Sequence, residues 1–241
     1  MWSEIRRPET LDQVIGHTDI KTQLQTYLTT KPYDNVILLH GPPGIGKTTI
    51  ALASARSLGL EPLEINASQS MRSFADVDAL IQSCRHTRSI SSLIRGDQTP
   101  MCLILDEIDG SDPHAQRKLA EWMTGPDRKL PVLMTCNEVP RVFKQKDQVL
   151  VLRCYPPNPA ELAHLFPNQD VVKLARKCKH DVRRMFQLLQ YGESDVLPSE
   201  TLPTNCSPEV MHMLKQKMWI SKCPMGQANE RERPSSHSLH S

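Results

Sequence analysis

The stretch Gly41-Pro42-Pro43-Gly44-Ile45-Gly46-Lys47-Thr48-Thr49 limits what this chain can fold into more than any other. It follows Val36–His40, a short apolar run with β-branched residues, and opens a stretch of helical character from Lys47 to Leu58. Glycines at these places let backbone N–H groups turn inward around phosphate oxygens, and a helix starting there points its positive end at them. The spacing GxxxxGK[ST] puts Lys47 within reach of β- and γ-phosphates and the Thr48 hydroxyl on a magnesium ion. A chance glycine turn is the plain alternative. The strand before the loop and the helix after it tell against that.

The rest of the first 150 or so residues alternate in the same way. Pro62–Asn66 reads as a strand, Phe74 to about Leu93 as a long helix, and Met101–Leu105 as the most apolar strand. Pro113–Met123 reads as a helix, with Pro131–Asn137 and Gln148–Leu152 as further strands. Strands apolar on both faces and separated by helices predict an α/β fold, a parallel sheet covered on both sides. After Cys154 the pattern turns wholly helical. Asn158 is placed as an N-cap, with Pro159 in the first turn and Glu161 at the capping-box position. Asn168–Cys178 and Asp181–Leu189 suggest two more short helices. The expected division is a nucleotide-binding domain over 1–153, a helical lid over 154–192, and a short tail over 193–241. In that tail Pro208–Trp219 reads as an amphipathic helix, and the polar end as disordered.

Two further features bear on chemistry. In Leu103-Ile104-Leu105-Asp106-Glu107-Ile108-Asp109-Gly110 a carboxylate directly follows a buried strand, at the sheet edge where the phosphates lie. Asp106 is placed to hold magnesium, and Glu107 to orient or deprotonate an attacking water, which a hydrolase needs and a mere binder does not. Asp109 reads better as a capping or helix-approach carboxylate. Asn137, at the end of its strand, is equally an Asx turn or a hydrogen-bond partner for a γ-phosphate or water.

Composition excludes some classes. A net charge of +2 with 39% apolar and 23% charged residues suits a soluble globular protein and argues against a strongly basic nucleic-acid binder. None of the 7 cysteines forms a CxxC pair, which points to reduced thiols, and the 9 histidines show no metal-ligand spacing. No signal peptide or membrane-length apolar run occurs, so the expected location is cytosol or nucleus.

At this point the chain resembles the AAA+ ATPases, and among them clamp loaders of the replication factor C type. The resemblance rests on Trp2, Glu4, Arg7, Pro8, Thr10, Leu11, Val14, Ile15, Gly16 and His17, on the glycine loop, and on Glu64–Ser68 with Arg72. It continues through Asp106–Gly110, Thr135–Asn137 and His180–Gln190. It implies a P-loop AAA+ five-stranded parallel sheet with a small all-helical lid, and ATP between them. It also implies an adenine pocket at Arg7, Pro8, Val14 and Ile15, a first sensor at Asn137 and a second at Arg183. By chemistry alone, Arg183 and Arg184 are equally a solvated helix face.

The resemblance further implies a hetero-oligomeric, five-subunit arc with replication factor C-type small subunits, acting on a sliding clamp and primer–template DNA. In such arcs a Ser-Arg-Cys arginine completes the neighbour's site. Alignment puts Ser-Arg-Cys on Asp147-Gln148-Val149, so the finger position is Gln148, while Arg153 falls beyond the strand. Lacking the finger, and carrying Asp106-Glu107-Ile108-Asp109-Gly110, the chain is expected to be large-subunit-like, at the end that receives a finger and donates none. Glu193–Ser241 is shorter than the family's collar, and Gln69 stands where an acidic residue is usual. Arg72, Arg85, Arg88, Arg95, Arg117 and Lys118 fall on helices that face DNA in the family. Two other readings stay open: a different AAA+ DNA-remodelling ATPase, or a non-catalytic ATP-binding regulatory subunit.

Overall fold

The computed structural model describes residues 7–84, 96, 99–166 and 169–191. Five strands form one parallel sheet in the order β2-β3-β4-β1-β5: β1 Val36–His40, β2 Glu61–Asn66, β3 Met101–Asp106, β4 Val132–Cys136 and β5 Val149–Arg153. Before β1 come a 3-10 turn, Leu11–Gln13, and helix α1, Thr18–Thr29. Between the strands lie α2 Lys47–Ser57, α3 Ala67–Ser70, α4 Phe74–Ser83, α5 Pro113–Met123 and α6 Arg141–Lys144, and after β5 come α7 Pro159–Leu162, α8 Val171–Lys177 and α9 Val182–Tyr191.

The sheet divides two cores because side chains on a strand alternate. Val36, Leu38, Leu103, Leu105, Val132 and Met134 pack on one face with α4 and α5. Ile37, Leu39, Ile104 and Leu133 pack on the other with α1 and α2. The helices after β5 close on their own cluster of Leu162, Phe166, Leu174, Met185 and Phe186. Asn158 caps α7 by accepting from Ala160 N, and Glu161 completes the capping box.

Some expectations need correction. The sheet is not covered on both sides at β5, where Leu150 and Val151 are 41% and 39% exposed. An edge strand has one neighbour, and here only the short α6 reaches it among the described helices with appreciable contact. Strand β5 also runs one residue later than the apolar run suggested, so Arg153 is its last residue, paired with His40, and not beyond it. The helix starting at Phe74 is described to Ser83. Its expected continuation to Leu93 lies outside the described residues. So do Trp2, Glu4, Arg85, Arg88, Arg95, Gly192 and the whole tail with its expected helix. Residues 1–196 form one compact unit, and the second, 197–241, also lies outside the described residues apart from that division. Among the described residues no helix is long and apolar enough to cross a membrane.

Candidate nucleotide-binding and hydrolytic site

β1, β3 and β4 all end at the carboxyl edge of the sheet, and their loops meet there. From β1 comes the glycine loop, with α2 beginning at Lys47. Lys47 is buried. Its Nζ donates to the Gly41 and Pro42 carbonyls, each at 2.8 Å, and to Asn137 Oδ1 at 3.0 Å. Burial lowers its pKa below the usual lysine value, against the opposing influence of Cys154, Cys136, Asp106 and Asp109. Three acceptors match its three hydrogens, so phosphate oxygens entering the loop compete for N–H groups already aimed at the site.

The end of β3 carries the carboxylates. Asp106 Oδ1 accepts from Thr48 Oγ1 at 2.6 Å and from Thr135 Oγ1 on β4. Thr135 Oγ1 in turn accepts from Glu107 N at 3.2 Å. Glu107 has φ +55°, a left-handed backbone that costs a non-glycine residue about 1–2 kcal/mol and swings its side chain off the strand line. Its Oε2 accepts from Asn66 Nδ2 at 3.1 Å and Ser68 Oγ at 3.0 Å. Asn137 is no mere turn residue, since its amide oxygen holds Lys47. Asp109 is not the helix cap that spacing favoured. Asp112 caps α5, accepting from the His114 and Ala115 N–H groups. Asp109 Oδ2 instead accepts from the backbone N–H groups of Asn137 and Glu138, at 3.0 and 3.2 Å, and so ties the β3 loop to the β4 loop.

A single cavity joins these groups to the chain's first described residues and to the last helices. It is lined by Pro43, Gly44, Ile45, Gly46, Lys47, Thr48 and Thr49, by Asp106, Glu107 and Asn137, by Arg7, Pro8, Val14 and Ile15, and by Arg183. Gly41 and Pro42 do not line it; their carbonyls serve Lys47 from behind. Arg184 does not line it either, which separates the two arginines that chemistry left equal. Arg7 also pairs with Glu64 on β2 at 3.7 Å. The segment after β5 adds Pro157, Leu162, Leu165 and Phe186, and Val182 N donates to the Gly44 carbonyl at 3.0 Å. Residue spacing gave no role to Asn66, Ser68, Thr135 or His17, whose ring Nε2 lies 3.0 Å from the Ile45 carbonyl.

The Thr48 hydroxyl and the Asp106 carboxylate, one hydrogen bond apart, form an oxygen pair suited to a hard cation that takes its other ligands from phosphate and water. Among the described residues no group of three or more His, Cys, Asp or Glu could hold a metal by itself.

Gln148 and Arg153 lie outside this cavity. Gln148 is exposed and its carbonyl accepts from Val36 N at 2.8 Å, while the Arg153 guanidinium sits 5.1 Å from the Tyr155 ring centre. Of the described cations expected to face DNA, Arg72 and Arg117 are exposed. Lys118 is committed elsewhere, pairing with Asp78 at 2.5 Å and lying over the Phe74 ring.

Residues 37–152 match the family described as AAA, the ATPase family associated with various cellular activities. The chain is 35% identical over 145 residues to a replication factor C large subunit of Sulfurisphaera tokodaii, covering 57% of this chain and 31% of that protein. It is 29% identical over 157 residues to the corresponding protein of Thermococcus kodakarensis, covering 62% and 30%. Over 189 residues it is 29% identical to the chromosome transmission fidelity protein 18 homolog of Drosophila melanogaster, covering 67% and 19%. The match thus spans about a third or less of these relatives' length. Among solved structures, the RuvB Holliday junction branch migration motor of Thermotoga maritima superposes with a TM-score of 0.52 at 19% identity, covering 76% of this chain and 65% of that one. That likeness concerns the fold.

Proposed function

We propose that this chain, whose residues 37–152 match the AAA ATPase family, binds and hydrolyses ATP as a large-subunit-like component of a clamp loader of the replication factor C type. The observation that carries the reading is the convergence of Lys47, Thr48, Asp106, Glu107 and Asn137 on one cavity that Arg183 also lines. In this reading the adenine lies among Arg7, Pro8, Val14 and Ile15, and the loop 41–46 cradles the phosphates. Lys47 leaves its protein acceptors for phosphate oxygens. Thr48 and Asp106 hold magnesium, which when bound neutralises phosphate charge. Glu107 orients and deprotonates the attacking water, a role worth about 10²–10⁴ in rate. Asn137 and Arg183 report on the γ-phosphate, Arg183 from a lid formed by the helices after Arg153.

The similarity to replication factor C large subunits supports hetero-oligomeric assembly with small subunits and action on a sliding clamp at primer–template DNA. That work takes place in the nucleus of a eukaryotic or virus-infected cell, or in the cytoplasm of a prokaryote. Gln148 at the finger position supports a place at the end of the arc, receiving an arginine and donating none. The test mixes the purified chain with replication factor C small subunits from its host. ATPase turnover is expected to rise above the sum of the components, and Gln148→Arg to leave it unchanged. Absence of any gain contradicts the assembly. Strong stimulation by Gln148→Arg contradicts the end position.

A further inference from the structure

Strand β5 ends the sheet, and its outer side carries backbone groups that no other strand takes up. The Gln148 carbonyl accepts from Val36 N, and Cys154 N donates to the His40 carbonyl at 2.7 Å. In a parallel ladder the N–H and C=O of one residue point the same way, and successive residues alternate. Leu150 and Leu152 therefore face β1, while Val151 and Arg153 turn both backbone groups away from it. Among the described residues no strand lies on that side, and those groups have no protein partner.

Natural edges are blunted by proline, by bulges or by charge along the strand. Val149-Leu150-Val151-Leu152-Arg153 has no proline, and its one charge is the last residue. Leu150 and Val151 stand exposed in its middle, on opposite faces of the sheet. Tyr155, just past the strand, is also exposed, with the Arg153 guanidinium against its ring. This edge offers hydrogen bonds and apolar surface together.

Charge selects what can cover it. Arg153 stands opposite His40 in register, on the sheet face where Phe143 of α6 packs. The segment holds Arg141, Lys144, Lys146 and Arg153 against the single carboxylate of Asp147. Among the described residues neither Lys144 nor Arg153 has an ion-pair partner. Burial, and then the charges of Arg153, Lys144 and Lys47, lowers the pKa of His40 below the ordinary histidine value. Positive potential at this end is thus uncompensated. A second copy of this chain, paired edge to edge, would bring two cationic sets together, whereas an acidic strand complements them.

We propose that the open edge of β5 docks an extended acidic segment of a partner protein as an added strand. Its apolar residues lie beside Leu150 and Val151, and its carboxylates beside Lys144 and Arg153. Main-chain hydrogen bonds supply affinity in such an addition, and side chains supply selectivity. The inference goes beyond the ATPase reading and does not depend on it, because none of these residues lines the nucleotide cavity.

The test uses the full chain without nucleotide and a short peptide that alternates Val and Thr between Asp-Glu ends. Amide exchange read residue by residue reports pairing directly. In the free chain Val151 and Arg153 are expected to exchange fast, and Leu150 and Leu152 slowly. Saturating peptide is expected to slow the first two by about tenfold or more. Val151→Pro removes an outward N–H and leaves the bonds to β1, as edge strands tolerate. It is expected to abolish binding while exchange elsewhere in the sheet is kept. Arg153→Glu is expected to weaken binding by about fivefold, the worth of an exposed ion pair, and remains decisive even if Val151→Pro folds poorly. Unchanged exchange of Val151 and Arg153 with the acidic peptide overturns the inference. So does equal binding of a counterpart with Lys in place of its carboxylates, or undiminished affinity of Arg153→Glu. Protection of these amides that rises with the chain's own concentration assigns the edge to a second copy and overturns it too. Protection by single-stranded DNA but not by the peptide does the same.

Discussion

At the scale of single residues, the site is a set of polar groups that hold one another at fixed distances before any phosphate arrives. Asp109 shows how much of this lies in support. Its carboxylate accepts two backbone N–H groups of the loop that aims Asn137, and Asn137 in turn aims Lys47. Asp109→Ala is expected to lower stability by about 1 kcal/mol, the worth of such hydrogen bonds near the surface. It should also slow hydrolysis more than it weakens ATP binding, as thermal unfolding and the rate–affinity comparison will read. That Lys47 and Thr48 would meet Asp106 and Glu107 was legible because the glycine loop and the carboxylates each follow a buried strand of one parallel sheet and so reach the same edge. The place of Asn66 and Ser68 was not. They act on Glu107 across the β2–β3 pairing, in which Asn66 stands opposite Asp106, and that adjacency exists only once the strand order is known.

At the scale of elements, the contact between the glycine loop and α9 matters most. Asp181 begins that helix, its Oδ1 accepting from Arg184 N at 2.9 Å, while Val182 N–H binds the Gly44 carbonyl. Gly44 has φ +70°, and a Cβ there would overlap the Asp181 carboxylate. Gly44→Ala therefore strains the loop and pushes α9 away together. It is expected to cost about 1–3 kcal/mol of stability, and to abolish the rise in melting temperature that ATP gives the wild type. An undiminished ATP-induced rise would show that the loop and α9 are not coupled. Helical phase explains what could be read here and what could not. Met185 and Phe186 are buried, which fixes the face that turns Arg183 to the cavity, but the sequence alone does not say which apolar residues of the helix go inward. In the same way the apolar run at β5 looked doubly covered because its edge position is a matter of strand order.

At the scale of the whole molecule, a parallel sheet with a glycine loop and two carboxylates at its carboxyl edge was legible from alternation and motif together, because strand–loop–helix alternation brings those loops to one edge. Assembly is less so. Gln148, which the proposed reading aligns with the finger position, lies outside the cavity, and exposed Leu150 and Val151 mark β5 as an open edge. The central claim is that this cavity hydrolyses ATP and that Glu107 performs the proton chemistry. Single-turnover hydrolysis of ATP with magnesium, comparing the wild-type assembly with one carrying Glu107→Gln in this chain, tests it most directly. The account predicts a fall of about 10²-fold or more in this chain's hydrolysis, with ATP affinity kept within about twofold. Equal rates for the two proteins would contradict it.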